Sequence, residues 1–439
     1  MAKGKKKEEL TIEEKLEQAL VPREEWPYEV PENWCWVRLQ CLCDDLKAGG
    51  DKPVVFIENA NDKINVPVVA NGLINDGIVG YTDEKKISKG AITISGRGTI
   101  GKAFYREYDF YPIVRLIVII PKRDVNGKYL KYVFDSLEEK GTGTSIPQLT
   151  VPMIRDKAIP LPPLAEQQRI VDRIESLFSK LDEAKEKAQE ALDGFEERKA
   201  AILHRAFSGE LTEKWREENG VSIADWNNKK ITELCKSLKY GTAKKSLDKG
   251  KVVVIRMGNL QNGEIDWTNL AFTDDEEDIE KYQLKSGDVL FNRTNSAELV
   301  GKTSVYRGER PAIYAGYIIK LDYDRSIVNG EFLNYILNSP KAKEYCNSVK
   351  TDGVNQSNIN AQKIGNFQMP VPTLDEQIEC VRLLKKLLKN EKQVQGLAIG
   401  IISEIDDMKN SILAKAFRGE LGTNDLKEDS VKDLLKTIL

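Results

Sequence analysis

From residue 170 onward the apolar positions fall at Ile170, Ile174, Leu177, Leu181, Ala184, Ala188, Ala191 and Phe195, in alternating steps of four and three. That spacing is the a/d seam of a long helix packing along one stripe. Moving 210 residues along the chain gives Cys380, Leu384, Leu387, Glu391, Val394, Ala398, Ile401 and Ile405, the same seam with one acidic interruption. A Pro-rich turn precedes each run and a glycine, Gly209 or Gly419, follows it, the punctuation of a helix start and stop. About 40 residues at 1.5 Å each predict a rod of roughly 60 Å. One seam per rod, twice per chain, predicts that the two rods pack on each other.

The flanks repeat at the same offset. Ala201-Ile-Leu-His-Arg-Ala-Phe-Ser-Gly-Glu-Leu211 returns as Ser411-Ile-Leu-Ala-Lys-Ala-Phe-Arg-Gly-Glu-Leu421, with seven of eleven positions identical. Ile159-Pro-Leu-Pro-Pro-Leu-Ala-Glu-Gln167 returns as Met369-Pro-Val-Pro-Thr-Leu-Asp-Glu-Gln377. The stretch between these landmarks has the same length in both copies, as a spacer requires and a loop does not. Between the rods the pattern changes to short β-branched runs and turns, the mark of mixed α/β globules. These also resemble each other. Trp34 to Cys43 aligns with Trp226 to Cys235, Ile100-Gly-Lys102 with Val300-Gly-Lys302, and Tyr129-Leu-Lys-Tyr-Val-Phe-Asp-Ser136 with Phe332-Leu-Asn-Tyr-Ile-Leu-Asn-Ser339, at offsets from 192 to 203.

The predicted organisation is an N-terminal helix (about residues 10–20) and linker over 1–36, a first globule over 37–158, a rod over 159–225, a second globule over 226–368, a rod over 369–425 and a tail over 426–439. The fold class expected is α/β (α+β): two globular domains separated by two long antiparallel coiled-coil helices, with a pseudo-twofold internal repeat.

Charge changes this picture once it is divided. The 439 residues carry a net charge of only −3, which argues against a strongly basic nucleic-acid binder. Each globule alone is +3, whereas residues 159–225 are −5, residues 369–439 are −1 and the first 36 residues are −3. Two mildly basic globules at a fixed separation suit a periodic polyanion, duplex DNA.

Little in the chain suggests catalysis. The single histidine, His204, excludes His-rich metal sites, and it stands near a helix end where the other copy has Ala414. Cys35, Cys41, Cys43, Cys235, Cys346 and Cys380 include no C-x-x-C pair and are expected to be reduced thiols. No metal site is expected. Gly96-Arg-Gly-Thr-Ile-Gly101 fits a dinucleotide fingerprint, but strand-like sequence follows where a helix is required. A phosphate loop fails too, because Ala103 replaces the Ser or Thr that binds Mg²⁺, and the stretch 296–303 lacks the first glycine. Both are expected to be turns. Asp274-Asp-Glu-Glu-Asp278 is expected to be a solvated acidic loop. The longest apolar run, residues 113–120, is too short to cross a membrane, and a cytoplasmic protein is expected.

Arg reads guanine and Asn or Gln reads adenine through paired hydrogen bonds. Candidate DNA contacts on glycine-rich turns are therefore Ser95, Arg97, Thr99, Lys102 and Gln148 in the first globule. In the second they are Tyr240, Thr242, Lys244, Lys245, Arg256, Asn259, Asn292, Arg293, Asn295, Ser296, Lys302 and Gln356. The competing explanation is that Asn, Ser and Gly simply build turns. At the level of the whole chain, a coiled-coil scaffold with peptide-binding globules, or a nucleotide-binding enzyme using residues 96–101, are the alternatives.

The turn ending in Ala165-Glu-Gln-Gln168, the long helix after it, Ala206-Phe-Ser-Gly-Glu-Leu211-Thr-Glu-Lys-Trp215 and the entrance Val30-Pro-Glu-Asn-Trp34 together resemble the specificity subunit of type I restriction–modification enzymes. The second copy, residues 369–377 and 416–421, resembles it as well. The resemblance implies two target-recognition domains, each taking half of a bipartite asymmetric DNA sequence, with the helices as a ruler. Half-sites read on one face should lie about one turn, ~34 Å, apart. The resemblance also implies docking of two methyltransferase subunits and association with restriction subunits. S-adenosylmethionine, ATP and Mg²⁺ would be used there, leaving this chain without cofactor or catalytic residue. Glu391, standing where the first copy has Leu181, departs from the seam and is expected to be wet or to contact a partner.

Overall fold

The computed structural model of the chain describes residues 11–97, 100–137, 148–354 and 356–439. It divides into two compact units, Met1–Ala188 with Gly400–Leu439 and Gln189–Ile399.

In the first unit a four-stranded antiparallel sheet has the order Cys43–Ala48, Ile117–Pro121, Ile92–Ile94, Ala103–Tyr105. A three-stranded sheet has the order Ile78–Thr82, Val66–Val69, Tyr111–Pro112, its last pair parallel. The apolar run over residues 116–120 follows from burial on both faces. Ile117 and Ile119 face a core with Trp34, Tyr129 and Phe417, while Leu116 and Val118 face a smaller one with Val69 and Phe110. Cys35–Arg38 pairs antiparallel with Ala158–Leu161 and brings the ends of the globule together.

The second unit repeats this plan. Its four-stranded sheet runs Cys235–Tyr240, Ile318–Tyr323, Asp288–Asn292, Thr303–Tyr306, and its three-stranded sheet Ala271–Thr273, Val252–Ile255, Ala312–Tyr314, again with one parallel pair. Asn227–Lys230 and Gln368–Val371 close it. Even the irregularity in the first strand recurs, between Cys43 and Asp45 and between Cys235 and Ser237. After that strand comes a glycine in each copy. A Cβ on Gly241 would lie 2.1 Å from the Tyr314 carbonyl oxygen, and one on Gly49 2.8 Å from the Ile113 nitrogen, so no side chain fits. The second unit also contains a hairpin, Leu260–Gln261 with Glu264–Ile265, and the helix Pro340–Val349.

Gly96 and Gly101 lie between Ile92–Ile94 and Ala103–Tyr105, an antiparallel pair with no helix directly after it. The dinucleotide-fingerprint alternative thereby fails. Residues 274–278 are not a loop: Asp275 caps the helix Glu276–Tyr282 and Asp278 is buried. The tail likewise forms a helix, Val431–Ile438, whose Val431 and Leu435 enter the first unit's core. The N-terminal helix is Ile12–Ala19, opened by a capping box from Thr11 and Glu14.

The first rod is two helices, Leu164–Asp193 and Phe195–Phe207, whereas the second is one helix, Leu374–Phe417. Phe195 therefore opens a new helix rather than continuing the seam. The interruption at Gly194 has a built-in repair: the Arg198 guanidinium bonds the Ala191 carbonyl at 2.8 Å and the Glu391 carboxylate at 2.8 Å. Glu391 is thus an internal ion-pair partner within the second unit. In the first unit Asp182 pairs with Lys409 and Lys185 with Asp406, an antiparallel order. Ile170, Ile174, Ala188, Leu384 and Ile405 are buried, and Leu177, Leu181, Ala184 and Leu387 half-buried. Val394 and Ile401, placed on the seam by their spacing, are instead exposed, at 43% and 45%. A pair of helices buries only a narrow stripe.

The repeated Glu-Gln of the Pro-rich turns ties each globule to its helix. Glu166, fully buried, accepts from the Trp34 indole at 2.7 Å and from the Asn424 amide at 2.8 Å, with the Thr423 hydroxyl 3.4 Å from its other oxygen. Glu376, equally buried, accepts from the Trp226 indole at 2.9 Å on one oxygen, and from the Thr212 hydroxyl at 2.7 Å and the Arg216 guanidinium at 2.6 Å on the other. Burial, the dominant influence, holds the Glu166 carboxyl above its ordinary range. Gln167 and Gln377 accept from the backbone of Asn126 and Asn329, at 2.9 and 2.8 Å. Those asparagines cap the helices Gly127–Ser136 and Gly330–Leu337, so one hydrogen-bond pattern fixes both globules.

Candidate nucleic-acid interface

In each globule distant stretches of chain meet at one edge of the four-stranded sheet, four in the second and five in the first. In the second they are residues 240–242, 293–296, 316–317 and 357–359. Arg293 is their hub. Its guanidinium carbon lies 4.7 Å from the centre of the Tyr240 ring, and its nitrogens reach the Gly316 carbonyl at 3.4 Å and the Asn358 side-chain oxygen at 3.2 Å. Its backbone donates to the Tyr317 carbonyl and accepts from Ile359. Tyr240 and Tyr317 are 40% and 51% exposed, so the stacked pair presents an aromatic and cationic face. The strands Thr294–Asn295, Ser357–Asn358 and Thr351–Asp352 extend this edge into a small sheet ending in Val354, which is fully exposed, and Gln356.

The first globule assembles the same edge from Gly49, Asn71, Gly96, Arg115 and Leu149. Asn71 accepts from the Gly96 N–H and donates to the Val114 carbonyl, both at 2.8 Å, and Leu149 donates to the Gly96 carbonyl as Ile359 does to Arg293. Arg97 and Arg115 are exposed beside it, and Gln148 is half-buried. Arg106, almost fully buried, donates to the Asp76 carbonyl at 2.8 Å and supports the turn carrying Ile74, which is 91% exposed. Asn75 and Asp76 have positive φ there, a backbone that Asn and Asp tolerate better than most residues.

Several residues read from the sequence as DNA contacts are internal. Ser95 and Asn292 are buried, and their backbones zip the turn to Lys102 and Lys302. The Asn292 side-chain nitrogen and the Arg293 Nε are buried without a hydrogen-bond partner, a local cost of roughly 1–3 kcal/mol each. Thr242 is buried against Asp278, and Asn259 spends its amide on the Asp266 and Asn269 carbonyls. Lys244 is neutralised by Asp275 at 2.8 Å, with Glu277 and Asp278 at 3.6 Å. Arg256 reaches Asn269 at 3.3 Å and Asn295 bonds the Ser296 N–H, leaving both half-buried. Lys245, Ser296 and Gln356 are exposed. Thr99 lies outside the described residues.

Lys102 and Lys302 leave the edge altogether. Lys102 turns to Asp135, 3.9 Å away, and Lys302 donates to Gln261 at 2.8 Å inside a cleft. Sequence reasoning missed Asn71, Arg115, Tyr317 and Val354, which stand on turns without a motif; Val114-Arg115 interrupting an apolar run was the available signal.

The cysteines are all unpaired, and burial pushes the Cys35 and Cys43 thiols up to about 12. Among the described residues no helix is long and apolar enough to cross a membrane.

A fold duplicated down to its hydrogen bonds, with a cationic and amide-bearing edge on each copy and aromatic rings on the second, defines a two-headed recognition protein. The sequence pattern of the family described as type I restriction modification DNA specificity domain matches residues 31–192 and 223–397, and the chain belongs to that family. It is 28% identical over 267 residues to the StySPI type I restriction enzyme specificity subunit of Salmonella potsdam, covering 60% of this chain and 57% of that one. It is 28% identical over 270 residues to the EcoKI type I restriction enzyme specificity subunit of Escherichia coli strain K12, with the same coverages. The match thus spans 57% of the length of each of these curated relatives. The crystal structure of the HsdS subunit from Thermoanaerobacter tengcongensis shares the fold, with a TM-score of 0.63, 19% identity and coverage of 90% of this chain and 99% of that one.

Proposed function

We propose that this chain is the DNA sequence-specificity subunit of a type I restriction–modification complex, each globule recognising one half of a bipartite asymmetric target. The observation that carries the proposal is the duplication of the recognition edge, with an arginine-bearing turn in equivalent positions of two globules of one family. Arginine with exposed amide and aromatic neighbours suits base-edge contact and backbone attraction together. The long helices set the distance between half-sites and dock two methyltransferase subunits. Adenine methylation with S-adenosylmethionine, and ATP- and Mg²⁺-dependent cleavage, belong to the methyltransferase and restriction partners in this proposal. This chain contributes discrimination, in the cytoplasm.

The test is methylome sequencing of cells with and without the gene, and with four residues inserted between Ala184 and Ala191. The insertion is expected to lengthen the unspecified spacer of the motif or to abolish methylation. An unchanged motif refutes the ruler.

A further inference from the structure

The cleft holding Lys302 lies on the second unit and has a volume of about 240 Å³. Three lysines line it, Lys199, Lys302 and Lys343, from three different elements; the carboxylate lining it is Glu298, itself exposed to solvent. Asn262, Asn334 and Asn338 complete its polar wall. Lys302 donates to a neutral amide oxygen, that of Gln261. Burial, and after it the Lys343 ammonium, hold the Lys302 ammonium below the usual lysine range.

The first globule provides an internal comparison. Lys102 corresponds to Lys302, and the helix residues Lys131 and Asp135 correspond to Asn334 and Asn338. There Asp135 sits 2.6 Å from Lys131 and 3.9 Å from Lys102, so an internal carboxylate answers the cations. In the second globule the carboxylate has become Asn338, whose amide is spent on the Thr303 and Asn334 carbonyls, and Lys343 also lines the cleft; the matching position of the first globule, Lys140, lies outside the described residues. Lys302 thus keeps its charge while the carboxylate that answers its counterpart is gone, together with the Lys131 ammonium.

We propose that this cleft binds a phosphate group, supplied by a DNA backbone or by a small free phosphate compound. Ammonium groups meeting in a partly desolvated recess suit a tetrahedral oxyanion. The DNA source rests on the proposed function, whereas the free-phosphate source does not.

The experiment uses the full-length chain, with inorganic phosphate as one probe and a random-sequence duplex as the other. Wild type is compared with Lys343→Glu, on an exposed helix position, and Lys302→Gln. Lys131→Gln, in the first globule, is the control. For a small phosphate, calorimetry shows one phosphate site that both variants weaken at least tenfold and the control leaves intact, with duplex binding unaltered. For a DNA phosphate, the variants lower duplex affinity equally for all sequences and reduce the salt slope by about one, and inorganic phosphate competes. Phosphate affinity and salt slope that are the same in wild type and both variants overturn the proposal. Failure of duplex binding alone, with a phosphate site that the variants abolish, counts against the DNA-specificity function and leaves the cleft in place.

Discussion

Replacing the same buried glutamate in the two copies has opposite expected consequences. Glu376→Gln removes the charge facing Arg216, whose side chain is only 9% exposed. Breaking a buried pair by neutralising one member costs about 3–5 kcal/mol. Hydrogen bonding adds to the cost. The carboxylate receives Thr212 and Arg216 on one oxygen and Trp226 on the other, so an amide must set its N–H₂ against a donor whichever way it turns. Glu166→Gln meets neither difficulty. Trp34 and Asn424 both donate to one oxygen, and the second faces only the Thr423 hydroxyl, which can reverse and accept. The charge lost there is one that burial already disfavours.

Because the Glu166 carboxyl titrates higher in the folded chain, its stabilising contribution is complete below the ordinary value of 4.5 and is lost as pH rises through the folded value. At neutral pH Glu166→Gln is therefore expected to lie within about 1 kcal/mol of wild type, and Glu376→Gln to open the second unit on the order of a hundred to several thousand times more often. Hydrogen exchange read on peptides from each unit separates the two. Equal exchange in both variants, or a first unit damaged more than the second, refutes the reasoning.

Arg293→Ala removes a cation–ring contact worth about 0.5–2 kcal/mol; folding is expected to survive and one half-site of the methylated motif to relax. Loss of both half-sites, or of folding, contradicts this. Arg198→Ala strands Glu391 and the Ala191 carbonyl and is expected to cost about 1–2 kcal/mol by urea unfolding. Adding Glu391→Leu should return most of that loss, since an apolar seam can replace an ion pair; no recovery means the pair is not what holds the helices there. Burial alone would raise the Glu331 carboxyl, but hydrogen bonds and charge from Arg307 and then Lys385 bring it below its ordinary value of 4.5. Its contribution is thus complete above that value and lost as pH falls through the folded one. The stability gap between wild type and Glu331→Gln is expected to close on acidification below about 4.5. A gap independent of pH argues against the clamp.

The helices and their duplication were legible because Glu166-Gln167 and Glu376-Gln377 perform the same hydrogen bonding, which forbids slippage of the offset. Helical periodicity spoke less clearly about burial. Val394 and Ile401 keep the heptad phase but lack cover, since Ala184, Ala188 and Ala191 offer short side chains along the other seam. The recognition edge was legible as turns but not residue by residue. Asn259 and Asn292 look like readers because Asn is a good base-edge donor, yet the same amide satisfies backbone groups within a turn, and here it does. Tyr317 was hidden for the opposite reason: its neighbours Tyr314 and Ile318 are core, while it is itself exposed.

The closure of the first unit by residues 400–439 has a consequence for how the chain is made. On the ribosome, the partners that Glu166 needs, Thr423 and Asn424, emerge after the whole second unit. The second unit is contiguous, residues 189–399, and can finish its own core while the first still waits. Domains usually complete in the order of their synthesis; here the globule translated first is the one completed last, and a ribosome stalled near residue 400 would carry a finished second globule beside an open first one.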